Sequence, residues 1–154
     1  MFCRWLGCRL PTEAEWEYAC RAGTTTPFNT GENVTTKQAN YNGNYPYKNF
    51  PQGDYLVKTT PVGSYDANAW GLYDTHGNVY DWCRDWYDGE YYATCKKSRP
   101  HGIENPEGPE SGSFRVLRGG LWDGYAQDCR SAFRNHGRPE DRFTYVGFRL
   151  VFVP

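Results

Sequence analysis

Residues Arg115 to Pro154 read RVLRGGLWDGYAQDCRSAFRNHGRPEDRFTYVGFRLVFVP, and this stretch decides the fold. Short regular words (Arg115-Val116-Leu117-Arg118-Gly119-Gly120, Cys129-Arg130-Ser131-Ala132, Val146-Gly147-Phe148-Arg149-Leu150) alternate with blocks that share no size, charge or period. Apolar residues interleaved with Gly and Arg suit strand edges and tight turns, whereas Asp123-Gly124-Tyr125, Asn135-His136-Gly137-Arg138 and Phe143-Thr144-Tyr145 suit no regular element. The pattern is that of a frame carrying interchangeable side chains, the organisation expected of a surface that selects partners.

Working outward, 154 residues suit one domain with its own core, and no internal period suggests a repeat array. Apolar content is low, but 13 Tyr, 8 Phe and 6 Trp supply large buried area, and 17 Gly and 10 Pro imply many turns. Little regular secondary structure is expected. The formal charge of −1 gives no electrostatic footprint for nucleic acid or an anionic membrane. The seven arginines at 115, 118, 130, 134, 138, 142 and 149 read as internal stacking and pairing groups in so aromatic a chain.

No apolar run of signal or membrane-spanning length is present, so the expectation is a cytoplasmic chain unless a further segment or a partner displays it. Six cysteines (3, 8, 20, 83, 95, 129) without an export signal read as reduced thiols, and their spacings match no common zinc frame.

Pro11 to Gly23 contains the clearest helix: Thr12 caps it, Glu15 completes a capping box, Arg21 suits the C-terminal end and Gly23 stops it. Residues 24–60 have no sustained period and read as ordered loop pinned by aromatic rings. Asn78 to Trp86 leans towards strand. Residues 87–113 are the most loop-like segment, with strands returning at Phe114 to Leu117 and in the apolar run Val146 to Val153.

Taken in order, RLPTEAEWEYACRAG (Arg9 to Gly23), NAWGLYDTHGNVYDWCRDWY (Asn68 to Tyr87), RVLRGG and VGFRL resemble the formylglycine-generating enzyme, or sulfatase-modifying factor, family over nearly the whole chain. The resemblance implies an α+β domain with a C-type lectin-like fold of the formylglycine-generating-enzyme type, low in regular secondary structure and spanning residues 1–154. It also implies a reduced or N-terminally truncated version of that domain, with the linker between a helix at Phe2 to Leu6 and the RLPTEAEWE word shortened to Gly7-Cys8.

Within that family, the C-terminal block is similar to the variable proteins of diversity-generating retroelements, in which adenine-directed mutagenesis of Asn codons replaces residues of the binding face. The resemblance puts the variable region at about 115–149 and the ligand-binding positions at Leu121, Asp123, Gly124, Tyr125, Asp128, Phe133, Asn135, His136, Gly137, Arg138, Asp141, Phe143, Thr144 and Tyr145. Randomised adenines in AAC or AAT codons never yield Met, Trp, Gln, Lys or Glu, and none of these occurs in the set. Gln127 and Glu140, lying between, belong by the same logic to the frame. Aromatic anchors ringed by adaptable polar groups are the composition of selected binding faces. Trp122, Tyr125, Phe133, Phe143 and Tyr145 supply it if exposed, and are core if buried.

An oxidase of the family needs two thiols, five residues apart soon after the glycine doublet, to bind copper. Here Cys129 is the one cysteine in that region; Gly124 stands five residues before it, and another gap placement sets Ala126 opposite the second thiol. An oxidase would have to recruit Cys83 or Cys20 through the fold. No copper and no catalytic residue are therefore expected. The three histidines (76, 101, 136) form no nucleophile–base set.

The family's structural calcium sites carry over as Asn40, the Tyr41 carbonyl, Asp54 and the Leu56 carbonyl for one ion, and Asn78, the Val79 carbonyl and Asp81 for another; carboxylates, amide carbonyls and main-chain oxygens are the donors this hard cation takes. The function expected is recognition of a protein or other macromolecular ligand, with neither nucleic acid nor membrane as partner. The competing readings are a copper-dependent formylglycine-generating oxidase and a non-catalytic structural domain.

Overall fold

The computed structural model describes residues 6–98 and 103–152. Cys3, His101, Val153 and positions 2–5 of the expected first helix lie outside them.

Strand β1 (Cys8–Arg9) leads into helix α1 (Glu13–Arg21). The helix begins as its sequence dictates, with the Thr12 hydroxyl accepting from the Glu15 N–H at 3.1 Å and the Glu15 carboxylate accepting from the Thr12 N–H at 2.8 Å. Its left-handed exit falls on Ala22 (φ 45°), one residue before the expected Gly23. After a long irregular stretch come β2 (Tyr80–Trp86), α2 (Tyr91–Ser98), β3 (Arg115–Arg118), a 3-10 turn (Ala126–Cys129), β4 (Asn135–Gly137), β5 (Val146–Gly147) and β6 (Val151–Phe152).

A four-stranded sheet has the order β4-β3-β2-β5, antiparallel except where β5 runs parallel to β2, and β1 pairs with β6 in a separate two-stranded sheet. Two expectations are corrected. The 87–113 segment holds α2, and the C-terminal apolar run is not one core strand. It divides between the two sheets because Val146–Gly147 pairs with Tyr80–Asp81 while Val151–Phe152 pairs with Cys8–Arg9, leaving Phe152 exposed.

The core is split. Trp16, Cys20, Cys83 and Val116 fill the space between α1 and the sheet; Phe28, Val34, Ala39, Tyr41, Ala126 and Cys129 fill the space under the irregular stretch. His76 joins them, packing edge-on to Phe28, donating from Nδ1 to the Cys129 carbonyl at 2.7 Å, and lying 4.0 Å from the Cys20 sulfur. Since Nε2 accepts from the Asn29 N–H at 3.0 Å, Nδ1 carries the proton.

Between the cores and the sheet lies an ionic network. Arg118, without exposed surface, reaches Glu13 and Glu17 at 2.6 Å each and also donates to the Ser131 carbonyl. Arg134 joins from the other side, pairing with Glu13 at 2.6 Å. The Trp16 indole N–H and Arg149 both donate to one oxygen of Asp81. Arg118, Arg134 and Arg149 pair internally and Arg115, Arg118 and Arg134 lie over aromatic rings, whereas Arg138 and Arg142 are exposed. Among the described residues, no helix is long and apolar enough to cross a membrane.

Candidate ligand-binding face

The segment after the glycine doublet is held mainly by its backbone. Gly77 N–H donates to Gly119 O (2.7 Å), Trp122 N–H to Asn78 O (2.9 Å), Asn42 N–H to Gly124 O (3.0 Å), Ala126 N–H to Tyr45 O (3.1 Å) and Ser131 N–H to Pro27 O (2.8 Å). These bonds clamp 119–131 against the irregular 27–78 stretch, so main-chain pairing, as well as aromatic rings, orders that stretch. Farther on, β3 pairs with β4, and Tyr80 N–H donates to Tyr145 O at 2.9 Å. A main-chain bond does not depend on which side chain its residue carries.

Gly120 makes the clamp possible. Its φ is +83°, a conformation L side chains rarely adopt, and a Cβ there would fall 2.5 Å from the Cys129 sulfur. The doublet thus sets the close approach of 119–120 to the 3-10 turn.

The sequence-derived positions divide three ways. Asp123, Tyr125, His136, Arg138, Phe143 and Thr144 are exposed; Leu121, Asp128, Phe133, Asn135, Asp141 and Tyr145 are half-buried. Gly124 and Gly137 are buried. A Cβ at Gly137 would lie 2.9 Å from the rigid Trp82 ring, so Gly137 acts as a spacer of the frame, whereas the nearest atom to one at Gly124 would be the flexible end of Leu121, at 2.5 Å. Of the remaining proposed anchors, Trp122 is half-buried.

Side chains from outside the C-terminal block pack against the exposed positions. Tyr45 faces Tyr125 with ring centres 4.3 Å apart, and Tyr55 lies over Trp122 and donates its hydroxyl to Asp123. Tyr87 stacks on His136 at 4.4 Å, and Phe114 meets the same imidazole edge-on at 4.8 Å. Phe143 and Tyr145 stack on each other at 4.9 Å. Beneath them Tyr80, 4% exposed, bonds Asn135 and lies near Asp128 and Tyr145, and burial pushes its phenol up to about 12. It ties the 121–128 part of the face to the 135–145 part. Sequence reasoning missed Tyr45, Tyr55, Tyr87 and Phe114, because nothing in a chain so rich in rings marks which ones face the varied block.

The cysteines make a different picture. Cys129 is fully buried, its Sγ–H directed at the Tyr125 carbonyl (3.7 Å), and burial raises its pKa far beyond the ordinary thiol value. Cys20 and Cys83 are also buried thiols with raised pKa values, from the same cause. Cys20 lies 3.6 Å from both the Ser131 hydroxyl and the Thr75 carbonyl. Among the described residues, no three His, Cys, Asp or Glu side chains are grouped to hold a metal ion.

The two calcium sets differ. Asn40 Oδ1 is buried without a hydrogen-bond partner among the described residues, and Asp54 is exposed at the surface. In the second set Asn78 Oδ1 already accepts from Thr60 N–H at 2.9 Å and from the Asn40 amide at 3.3 Å, and Asp81 serves Trp16 and Arg149. The donor chemistry of the first set fits a hard cation; that of the second is occupied by protein donors.

Comparison with known proteins gives this geometry its context. The sequence profile of the sulfatase-modifying factor enzyme 1-like domain matches residues 1–153. The formylglycine-generating enzyme of Streptomyces coelicolor is 40% identical over 158 residues, covering 97% of this chain and 48% of that enzyme. The serine/threonine-protein kinase pkn1 of Chlamydia caviae is 40% identical over 151 residues, 97% of this chain and 22% of the kinase. Among solved structures, Treponema denticola variable protein 1 superimposes with a TM-score of 0.71 at 34% identity, covering 93% of this chain and 46% of that one. PvdO from Pseudomonas aeruginosa gives 0.75 at 32% identity, covering 97% and 56%. The chain thus spans about half the length of the enzyme and less of the kinase. The short strands, the capped helix and the clamped C-terminal block are the C-type lectin-like fold of the formylglycine-generating-enzyme type, and the chain belongs to the sulfatase-modifying factor enzyme 1-like domain family.

Proposed function

We propose that this chain is a recognition module that presents diversified side chains at 121–145, in the manner of the variable proteins of diversity-generating retroelements. The observation that carries the reading is the separation of labour in the C-terminal block. Main-chain bonds and the buried Arg118, Trp16, Cys129 and Ser131 hold the backbone, while Asp123, Tyr125, His136, Arg138, Phe143 and Thr144 turn outward. Rigid aromatic contact area lowers the ordering cost of binding, and Tyr125, Phe143 and Tyr145 supply it next to adaptable polar groups. The ligand is a protein or another macromolecule. The test is a display library randomised at the six exposed positions alone: binders to unrelated protein targets are expected from folded clones, and a library that yields only unfolded clones sinks the reading. At the genetic level, a reverse transcriptase gene and a near-copy of the codons for 115–149 differing only at adenines should lie nearby.

The 40% identity to a formylglycine-generating enzyme favours a second reading, a copper oxidase. It would require two neighbouring thiols on one ion, and in the C-terminal block Cys129 is the one cysteine, its Sγ–H directed at the Tyr125 carbonyl. Oxygen uptake with copper and a cysteine-containing sulfatase peptide separates the two readings; none is expected.

For the frame we infer calcium at the first set, with Asn40, Asp54 and the carbonyls of Tyr41 and Leu56 holding the ion. The unpartnered Asn40 oxygen supports it. Such an ion would tie the 40–56 loop that carries Tyr45 and Tyr55.

A further inference from the structure

Beside the varied block, none of whose positions line it, a groove of about 880 Å³ runs between β1, the outer face of β2 and the 107–110 loop. Its floor is Trp82 and Trp86, and the Gly108 backbone helps close one side because it lacks a side chain: at φ +80°, a Cβ there would meet Asp85 at 2.8 Å. The wall is therefore built into the packing of the loop on the strand. The volume is in the range of small-ligand sites, which combine an apolar lining with a few fixed polar groups.

Three arginines reach this groove, and they are not equivalent. Arg9 is held by both oxygens of Glu15 at 2.6 Å, and Arg84 is paired with Glu107 at 3.4 Å. Arg115 lies flat on Trp86, 3.4 Å from the ring centre, and donates to the Arg84 carbonyl; among the described residues no carboxylate lies within ion-pair distance of it. Partial burial draws its pKa down from the ordinary guanidinium value. A guanidinium seated over an indole and partly removed from water, which feels the charge of Asp85 without forming an ion pair with it, presents the fork that carboxylates accept.

We propose that this groove binds the carboxylate of a ligand with an apolar body, Arg115 taking the carboxylate and Trp82 and Trp86 the body. Glu107 and Glu110 on the rim disfavour ligands with several negative charges, so one carboxylate on an aromatic or aliphatic group fits best. Two sources share this chemistry, a free small acid and the C-terminus of a peptide. The proposal does not depend on the recognition reading of the varied block.

The test uses the whole chain and four probes: N-acetylphenylalanine, its amide, a tetrapeptide ending in Phe with a free carboxylate, and the same tetrapeptide amidated. Binding is followed by tryptophan fluorescence and by the Arg115 Nε–H resonance. At least one free acid should bind about tenfold or more tightly than its amide, the ratio expected when a charged hydrogen-bonded contact is removed. Which acid does so identifies the source. Arg115→Gln should erase the preference and Arg84→Gln should leave it. Should Arg115→Gln fail to fold, the shift of the Arg115 resonance on adding acid but not amide decides the matter in the wild-type chain. Equal binding of acid and amide, or no saturable binding of either acid up to about 10 mM, overturns the proposal.

Discussion

Arg118 of β3 and Glu13 of α1 are 105 positions apart in the chain and 2.6 Å apart in the fold, with neither side chain more than 2% exposed. Replacing Arg118 with Met should destabilise the domain by about 3–5 kcal/mol, since Glu13 would keep only Arg134 and the Ser131 carbonyl would lose its donor. In urea denaturation, Glu13→Gln combined with Arg118→Met should recover part of the loss; a double variant no better than the single one would show that charge isolation is not its cause.

Stability between pH 4 and 6 should carry two opposing contributions, which two variants can expose. Burial lowers His76 from 6.5 to about 4, so its contribution is complete above pH 6.5 and is lost as pH falls towards 4. Burial raises Asp85 from 3.8 to about 6, so its contribution is complete below pH 4 and is lost as pH rises to 6. The shifts oppose each other and are each worth roughly 3 kcal/mol. Asp85→Asn should yield a Tm that rises with pH through this window, and His76→Gln one that falls; parallel profiles would refute the assignment.

Gly120→Ala should cost more than about 3 kcal/mol, combining a positive φ with a Cβ placed against Cys129. Thermal unfolding monitored by circular dichroism measures it. A neutral result would mean that the doublet does not set the spacing of 119–131.

Exchanging Asp123, His136, Arg138 and Thr144 together for Ser should lower stability by less than Arg118→Met does, each position contributing within about 0.5 kcal/mol. Gly137→Asn, inside the same block, should be worse than all four, because its Cβ meets the Trp82 ring. Chemical denaturation of the two variants compares frame with face directly.

Calcium at the first set should stabilise the fold by about 2.7 kcal/mol at a hundredfold excess over Kd, seen as a Tm that rises with calcium concentration, and Asn40→Ala should abolish the rise. Absence of any calcium effect on the wild-type chain removes the ion from the account.

What the sequence made legible was local chemistry. Thr12 and Glu15 announce the first helix because a capping box is written within four residues. The reading of Asn78 to Trp86 as strand rests on alternation that β2 realises. The second helix, Tyr91–Ser98, lacks such a signal: no acidic residue opens it, and Gly89 before it and Pro100 after it read as loop. Nothing local to Glu13 signals its partners, Arg118 and Arg134, which are brought to it only by the fold. The same distance hid Tyr45, Tyr55, Tyr87 and Phe114, whose rings pack against 122–136.

The five main-chain bonds between 27–78 and 119–131 carry a consequence for biosynthesis. Neither stretch has a ladder of its own, so each serves as the other's template, and the earlier one must leave the ribosome unstructured and wait roughly forty residues or more for its mate. Amide protons at Asn42, Gly77 and Trp122 should therefore become protected in a single late kinetic phase.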